Sequence, residues 1–192
     1  LKADAVDYSE KNVLISFDSD YVKLFSVDFY ITHREKVHLH GTYDSYYSSL
    51  QNKLIFQYVC NNASTFRVDI DSLKLFLRRM HTLEENITTH NTDYIDKTLA
   101  REKEYFDNIL MDIDSNIRLD DEQRRAVITD DDYCLLVAGA GAGKTTTMAA
   151  KVKYLVEKKN INPEEIIVIS YTNKAIGELR ERINKGLKIP AK

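Results

Sequence analysis

Between an apolar run and a helix-favouring stretch the chain reads Ala138-Gly139-Ala140-Gly141-Ala142-Gly143-Lys144-Thr145. Small side chains let a backbone curl tightly, so that successive N–H groups face one centre, an anion-binding arrangement. A helix opening near Gly143 adds the positive end of its dipole to the same centre. The ammonium of Lys144 then reaches the β- and γ-phosphates of a nucleotide, and the hydroxyl of Thr145 is suited to ligate Mg²⁺. These are the parts of a phosphate-binding Walker A loop, G-x-x-x-x-G-K-[ST], which requires a strand before it and a helix after it. The pattern departs at one place: Ala138 stands where the general form has its first glycine.

Both flanks suit the loop. Tyr133-Cys134-Leu135-Leu136-Val137 is a short continuous apolar run, as expected of a parallel strand covered on both faces. Residues 144–158 have a helical pattern. Asn162-Pro163-Glu164-Glu165 reads as a loop, and Ile166-Ile167-Val168-Ile169-Ser170 as a second buried strand. Residues 174–185 read as a second helix, with Gly186 in the C-cap role. Strand, helix, strand, helix predicts a parallel sheet with right-handed crossovers.

The character of the chain changes near residue 118. Before it there is no proline and one glycine, Gly41; after it come both prolines and the other glycines. We therefore expect two parts, 1–117 and 118–192. Residues 13–68 are ambiguous, because apolar runs such as Leu54-Ile55-Phe56-Gln57-Tyr58-Val59 fit a buried strand or a buried helix equally; a mixed region is expected. From Asp71 to Ile117, apolar residues at helical spacing (Met80, Leu83, Ile87, Tyr94, then Ile95, Leu99, Phe106, Ile109, Ile113) predict one or two long amphipathic helices. Tyr21, Tyr30, Tyr43, Tyr46 and Tyr47 lack interleaved cations and read as half-buried core rather than base-stacking platforms. His33, His38 and His40 have no cysteine or carboxylate at ligand spacing, so a metal site is not expected there.

The bulk properties narrow the class further. A formal net charge of -3 gives no general affinity for nucleic acid, so any such contact must be local. Cys60 and Cys134 match no C-x-x-C pattern and read as reduced thiols of a cytoplasmic protein, Cys134 as an inert strand residue. Asp130-Asp131-Asp132 reads as a solvated turn. No stretch reaches the apolar length of a membrane span, and no signal-peptide pattern opens the chain. It begins at Leu1 and stops at Ile189-Pro190-Ala191-Lys192, which is expected of a piece of a longer polypeptide.

The loop, in the form A-G-A-G-x-G-K-T, resembles that of UvrD/Rep-type superfamily 1 DNA helicases. Two flanking segments extend the resemblance. Leu119-Asp120-Asp121-Glu122-Gln123 is similar to the family's Q motif, whose Gln side chain both donates and accepts and so matches N6 and N7 of adenine. Ser170-Tyr171-Thr172-Asn173-Lys174-Ala175, followed by Glu178-Leu179-Arg180-Glu181-Arg182-Ile183, is similar to motif Ia, which touches single-stranded DNA. The resemblance implies that Tyr171 stacks on a base, with Thr172 and Asn173 beside it; a plain structural role would have Tyr171 packed at a strand end and Asn173 capping the next helix.

The resemblance implies an α/β fold: a RecA-like P-loop NTPase sheet portion beginning at 118, preceded by a largely helical amino-terminal domain. It implies ATP and Mg²⁺ as cofactors, with Lys144 and Thr145 catalytic and Thr145 the metal ligand. The implied nucleotide-binding set is Gln123, Ala138, Gly139, Ala140, Gly141, Ala142, Gly143, Lys144, Thr145 and Thr146. Thr146 stands where family members commonly carry an Arg that stacks on adenine. The long extension before the Q motif resembles DNA helicase IV and its relatives. No Walker B acid pair or second motor domain follows, so the chain alone is expected not to hydrolyse ATP. Kinases and GTPases lack the two flanking motifs. An alternative reading is a helicase-like remodelling factor whose residues 1–117 bind a protein such as RNA polymerase.

Overall fold

The structure is a computed structural model that describes residues 11–139 and 141–188; the expectations drawn from the two chain ends lie outside them. The chain forms two compact units divided between Asp93 and Tyr94. The compositional change near 118 falls inside the second.

In the first unit, α1 spans Lys11–Phe25, α2 His33–Gln51, α3 Lys53–Asn61, α4 Ala63–Phe66 and α5 Ile70–His81; α6, Leu83–Arg101, begins here and ends in the second unit. Local signals set these boundaries. Thr32 opens α2 with a capping box, its hydroxyl accepting from Glu35 N while the Glu35 carboxylate accepts from Thr32 N. Asn52 separates α2 from α3 by accepting from Leu54 N at 3.0 Å, and Asp69 opens α5 by accepting from Ser72 N at 2.7 Å. The region 13–68, expected to be mixed, is therefore helical, and Leu54–Val59 lies in α3.

One apolar core joins α1, α2, α3 and α5. Phe17, Leu50, Val59, Leu73 and Phe76 are at its centre, with Tyr43 and Tyr46 buried beside them. The Phe17 and Phe76 rings meet edge to face with centroids 4.7 Å apart, and Phe17 meets Tyr43 the same way at 5.1 Å. The Tyr43 hydroxyl donates to Asp20 at 2.6 Å. Burial, then that carboxylate partner, pushes its pKa up. The tyrosines thus combine apolar packing with a satisfied polar tip.

Ile31, in the connection before α2, is held by a single amide. Its N–H donates to Asn91 Oδ1 at 2.8 Å and its carbonyl accepts from Asn91 Nδ2 at 2.9 Å, both buried. Asn91→Ala leaves both Ile31 groups buried without partners, and is expected to lower the unfolding free energy by roughly 2 kcal/mol. Urea unfolding followed by circular dichroism measures this; an unchanged midpoint would mean that water replaces the amide.

The second unit contains the end of α6, then α7 (Lys103–Asn108), α8 (Asp121–Ile128), α9 (Lys144–Glu157) and α10 (Asn173–Leu187), with a 3₁₀ turn at Pro163–Glu165. The helix α9 is central and packs against both α8 and α10. Val127, Ile128, Ala149, Ala150, Val152, Tyr154 and Leu179 are buried, and Phe106 stacks on Tyr154 with ring centroids 5.6 Å apart. Lys153, buried in the middle of α9, keeps its charge partnered by Asp112 at 3.0 Å.

The expected parallel sheet is absent: among the described residues there is no strand. Among the described residues neither apolar run pairs with the other or with a neighbour, and a strand exists only where a ladder satisfies its backbone groups. The burial pattern gives the reason. Leu135 is 87 % exposed and Ile167 84 %, with Tyr133, Val137 and Ile169 similarly open. Ile166 and Val168, pointing the other way, line a cavity with Ile176 and Leu179 of α10. The first run is exposed throughout and the second is covered on one side only, and among the described residues no neighbouring strand pairs with either. Cys134 is accordingly exposed rather than packed inside a strand. Gly186 is corrected as well. It lies within α10, which ends at Lys188 with φ +55°. A Cβ at Gly186 would sit 3.0 Å from Ile113 Cδ1, so its glycine serves close packing.

Candidate functional site

The loop opens α9 as the residue pattern requires. Gly143 is the N-cap with φ +76°, and Gly141 has φ +78°. Both values lie in the left-handed region that side chains other than glycine resist. Ala142 N donates to Gly139 O at 3.3 Å, closing the turn. Ala140 lies outside the described residues. Lys144 is the first residue of α9 and is exposed. Its ammonium folds back over the loop and donates to Ala138 O at 2.9 Å and Gly139 O at 2.7 Å. A cation is thus held against the loop backbone by the loop's own carbonyls. Thr145 follows, half-buried in the first turn.

The helix α8 is set by Asp120, whose carboxylate accepts from Gln123 N at 2.8 Å while Asp120 N donates to Gln123 Oε1 at 3.1 Å. This is a second capping box. Gln123 Nε2 donates to Ala142 O at 3.2 Å, so the amide meets the glycine loop across nineteen residues of sequence. The helix is fastened at its other end by Lys151 of α9, whose ammonium donates to Val127 O and Thr129 O. Burial pulls the Lys151 pKa below its usual value. Arg124 anchors the same helix through Asp107 at 2.8 Å, and Arg125 through Asp96 at 2.5 Å.

Thr146 takes a different place from the loop residues. It is buried between α9 and α10, and its hydroxyl accepts from Arg182 at 2.6 Å. Tyr171 stands apart with its ring fully exposed, at 102 %. It does not pack at a strand end. Thr172, rather than Asn173, caps α10 by accepting from Ala175 N at 3.2 Å. The three sequence segments therefore converge on α9: Gln123 on the loop before it, and Arg182 on Thr146 in its first turn. Arg182 and Lys151 were not assigned roles from sequence. Arg182 carries a weak signal, since it falls within the segment similar to motif Ia; nothing in the sequence distinguishes Lys151 from other helical lysines.

Comparison with known proteins covers the same stretch. The family described as UvrD/REP helicase N-terminal domain matches residues 119–191. A probable DNA helicase II homolog of Mycoplasma capricolum is 45 % identical over 65 residues, which is 34 % of this chain and 9 % of the relative. The ATP-dependent DNA helicase UvrD1 of Mycobacterium leprae is 43 % identical over 65 residues, 34 % of this chain and 8 % of its own length. The ATP-dependent DNA helicase PcrA of Staphylococcus aureus is 41 % identical over 64 residues, 33 % and 9 % respectively. The chain thus spans less than a tenth of these curated relatives. No solved structure matches it. The loop, the α8 cap and the α10 segment all lie within residues 119–191, the stretch that is similar to the N-terminal domain of UvrD/REP helicases.

Proposed function

We propose that this chain is the ATP-binding part of an ATP-dependent DNA helicase or translocase that acts on single-stranded DNA. The observation that carries the reading is the contact of Gln123 with Ala142, which joins the Q-type helix to the glycine loop at 3.2 Å. A base reader beside a phosphate loop is the arrangement a purine nucleotide needs. In this reading the loop residues 138–143 and Lys144 hold the phosphates, Gln123 faces adenine, and Thr145 ligates Mg²⁺. The residues fit such a ligand. The loop has two glycines at positive φ, and it already receives a cation, Lys144, against its backbone. Mg²⁺ would supply charge neutralisation at the β- and γ-oxygens. Thr146 contributes from behind: its hydrogen bond to Arg182 ties the first turn of α9 to the helix that follows the DNA-contact segment.

Two of the named relatives, UvrD1 and PcrA, are described as ATP-dependent DNA helicases, which supports ATP and DNA as the ligand classes. Tyr171 is the proposed DNA platform. Its exposed ring precedes the N-terminus of α10, so a base can stack on it without repacking any core. Tyr171→Ala is expected to weaken binding of a single-stranded oligonucleotide by about 1–3 kcal/mol, equally for thymine-rich and adenine-rich sequences, because stacking tolerates sequence. Fluorescence anisotropy reads this. Undiminished binding by the variant would remove Tyr171 from the DNA contact.

A further inference from the structure

We infer that Gln123 is a positioning residue for the phosphate loop itself, acting through the Ala142–Gly143 peptide whether or not a base is present. The inference rests on the nucleotide-binding reading above. The Gln123 amide is held at both ends: Oε1 accepts from Asp120 N at 3.1 Å, and Nε2 donates to Ala142 O at 3.2 Å. The amide cannot turn without losing both bonds. A peptide unit is planar and trans, so its carbonyl and its N–H point in opposite directions. Drawing the Ala142 carbonyl towards α8 therefore aims the Gly143 N–H away from Gln123. That N–H immediately precedes Lys144 and is one of the donors a phosphate loop presents.

Gly143 carries the imprint of the contact. Its φ is +76°, and a Cβ added there would sit 2.8 Å from Gln123 Nε2. Glycine is needed for its backbone angle and because the amide lies directly on it. The amide still has a second N–H and a second lone pair. Contact with a base is therefore compatible with the loop contact, and the two contributions are separable.

Inorganic tripolyphosphate separates them, because it offers phosphates without a base. Calorimetric titration of the chain and its Gln123→Ala variant, with Mg²⁺, is expected to show tripolyphosphate binding weakened about 3–10-fold, the loss of one ordered hydrogen bond. Ala126→Gly, which weakens α8 without touching the Gln123 amide, is the control and is expected to bind tripolyphosphate within about twofold of the unaltered chain. Unchanged tripolyphosphate binding by Gln123→Ala, with weakened ATP binding, would overturn the inference and leave Gln123 as a base reader. An equal loss in Ala126→Gly would overturn it too, since helix stability would then be the cause. If the unaltered chain bound neither ATP nor tripolyphosphate, the nucleotide-binding reading would itself fail.

Discussion

Phe76→Ala is expected to destabilise the first unit by about 3–5 kcal/mol, the usual cost of emptying a core aromatic site. Phe76 is 1 % exposed and lies on the inner face of α5. Its ring meets Phe17 at 4.7 Å, Tyr46 at 5.3 Å and Tyr47 at 6.3 Å, so truncation removes three aromatic contacts as well as buried area. The surrounding helices cannot close the gap, because Phe17 is itself pinned from the other side by Tyr43. A loss of this size is a large share of a small unit's stability. The chain has no tryptophan, so urea unfolding is best followed by far-ultraviolet circular dichroism. Phe76→Leu should retain much of the lost stability. Equal midpoints for Phe76→Ala and the unaltered chain would contradict the placement of the core.

The second large effect concerns binding. Lys144→Ala is expected to weaken ATP binding by about 10–100-fold, the loss of hydrogen bonds from a charged donor. The fold should survive, because Lys144 is exposed and, among the described residues, its ammonium donates to two loop carbonyls, Ala138 O and Gly139 O. On binding, the ammonium exchanges those neutral acceptors for phosphate oxygens. An unchanged melting temperature with weakened ATP binding distinguishes this from general destabilisation.

The local backbone of the loop and of α8 was more legible than the fold around them. Asp120 and Gln123 form a capping box that residue types at a spacing of three announce, and the loop glycines at 141 and 143 sit at the positive φ that a glycine-rich turn implies. The helices at 144–157 and 173–187 follow from their periodicity. The strands were not legible. A continuous apolar run signals burial, yet a run of five such residues does not say whether backbone partners exist, and here they do not. Residues 13–68 were ambiguous for the same reason, and there caps at Thr32, Asn52 and Asp69 decided for helix. Lys151 and Lys153 were invisible because burial of a helical lysine depends on what packs over it, not on its neighbours in sequence.

The most direct test of the nucleotide-binding account is a titration of the isotope-labelled chain with ATP and Mg²⁺, followed residue by residue through amide NMR shifts. The account predicts that the largest shifts fall on the Gly139 and Gly141–Thr145 amides and on the Gln123 side chain. It also predicts that Lys144→Ala abolishes them at the same ATP concentration. Shifts confined to residues outside 119–146, or shifts unaltered by Lys144→Ala, would contradict it.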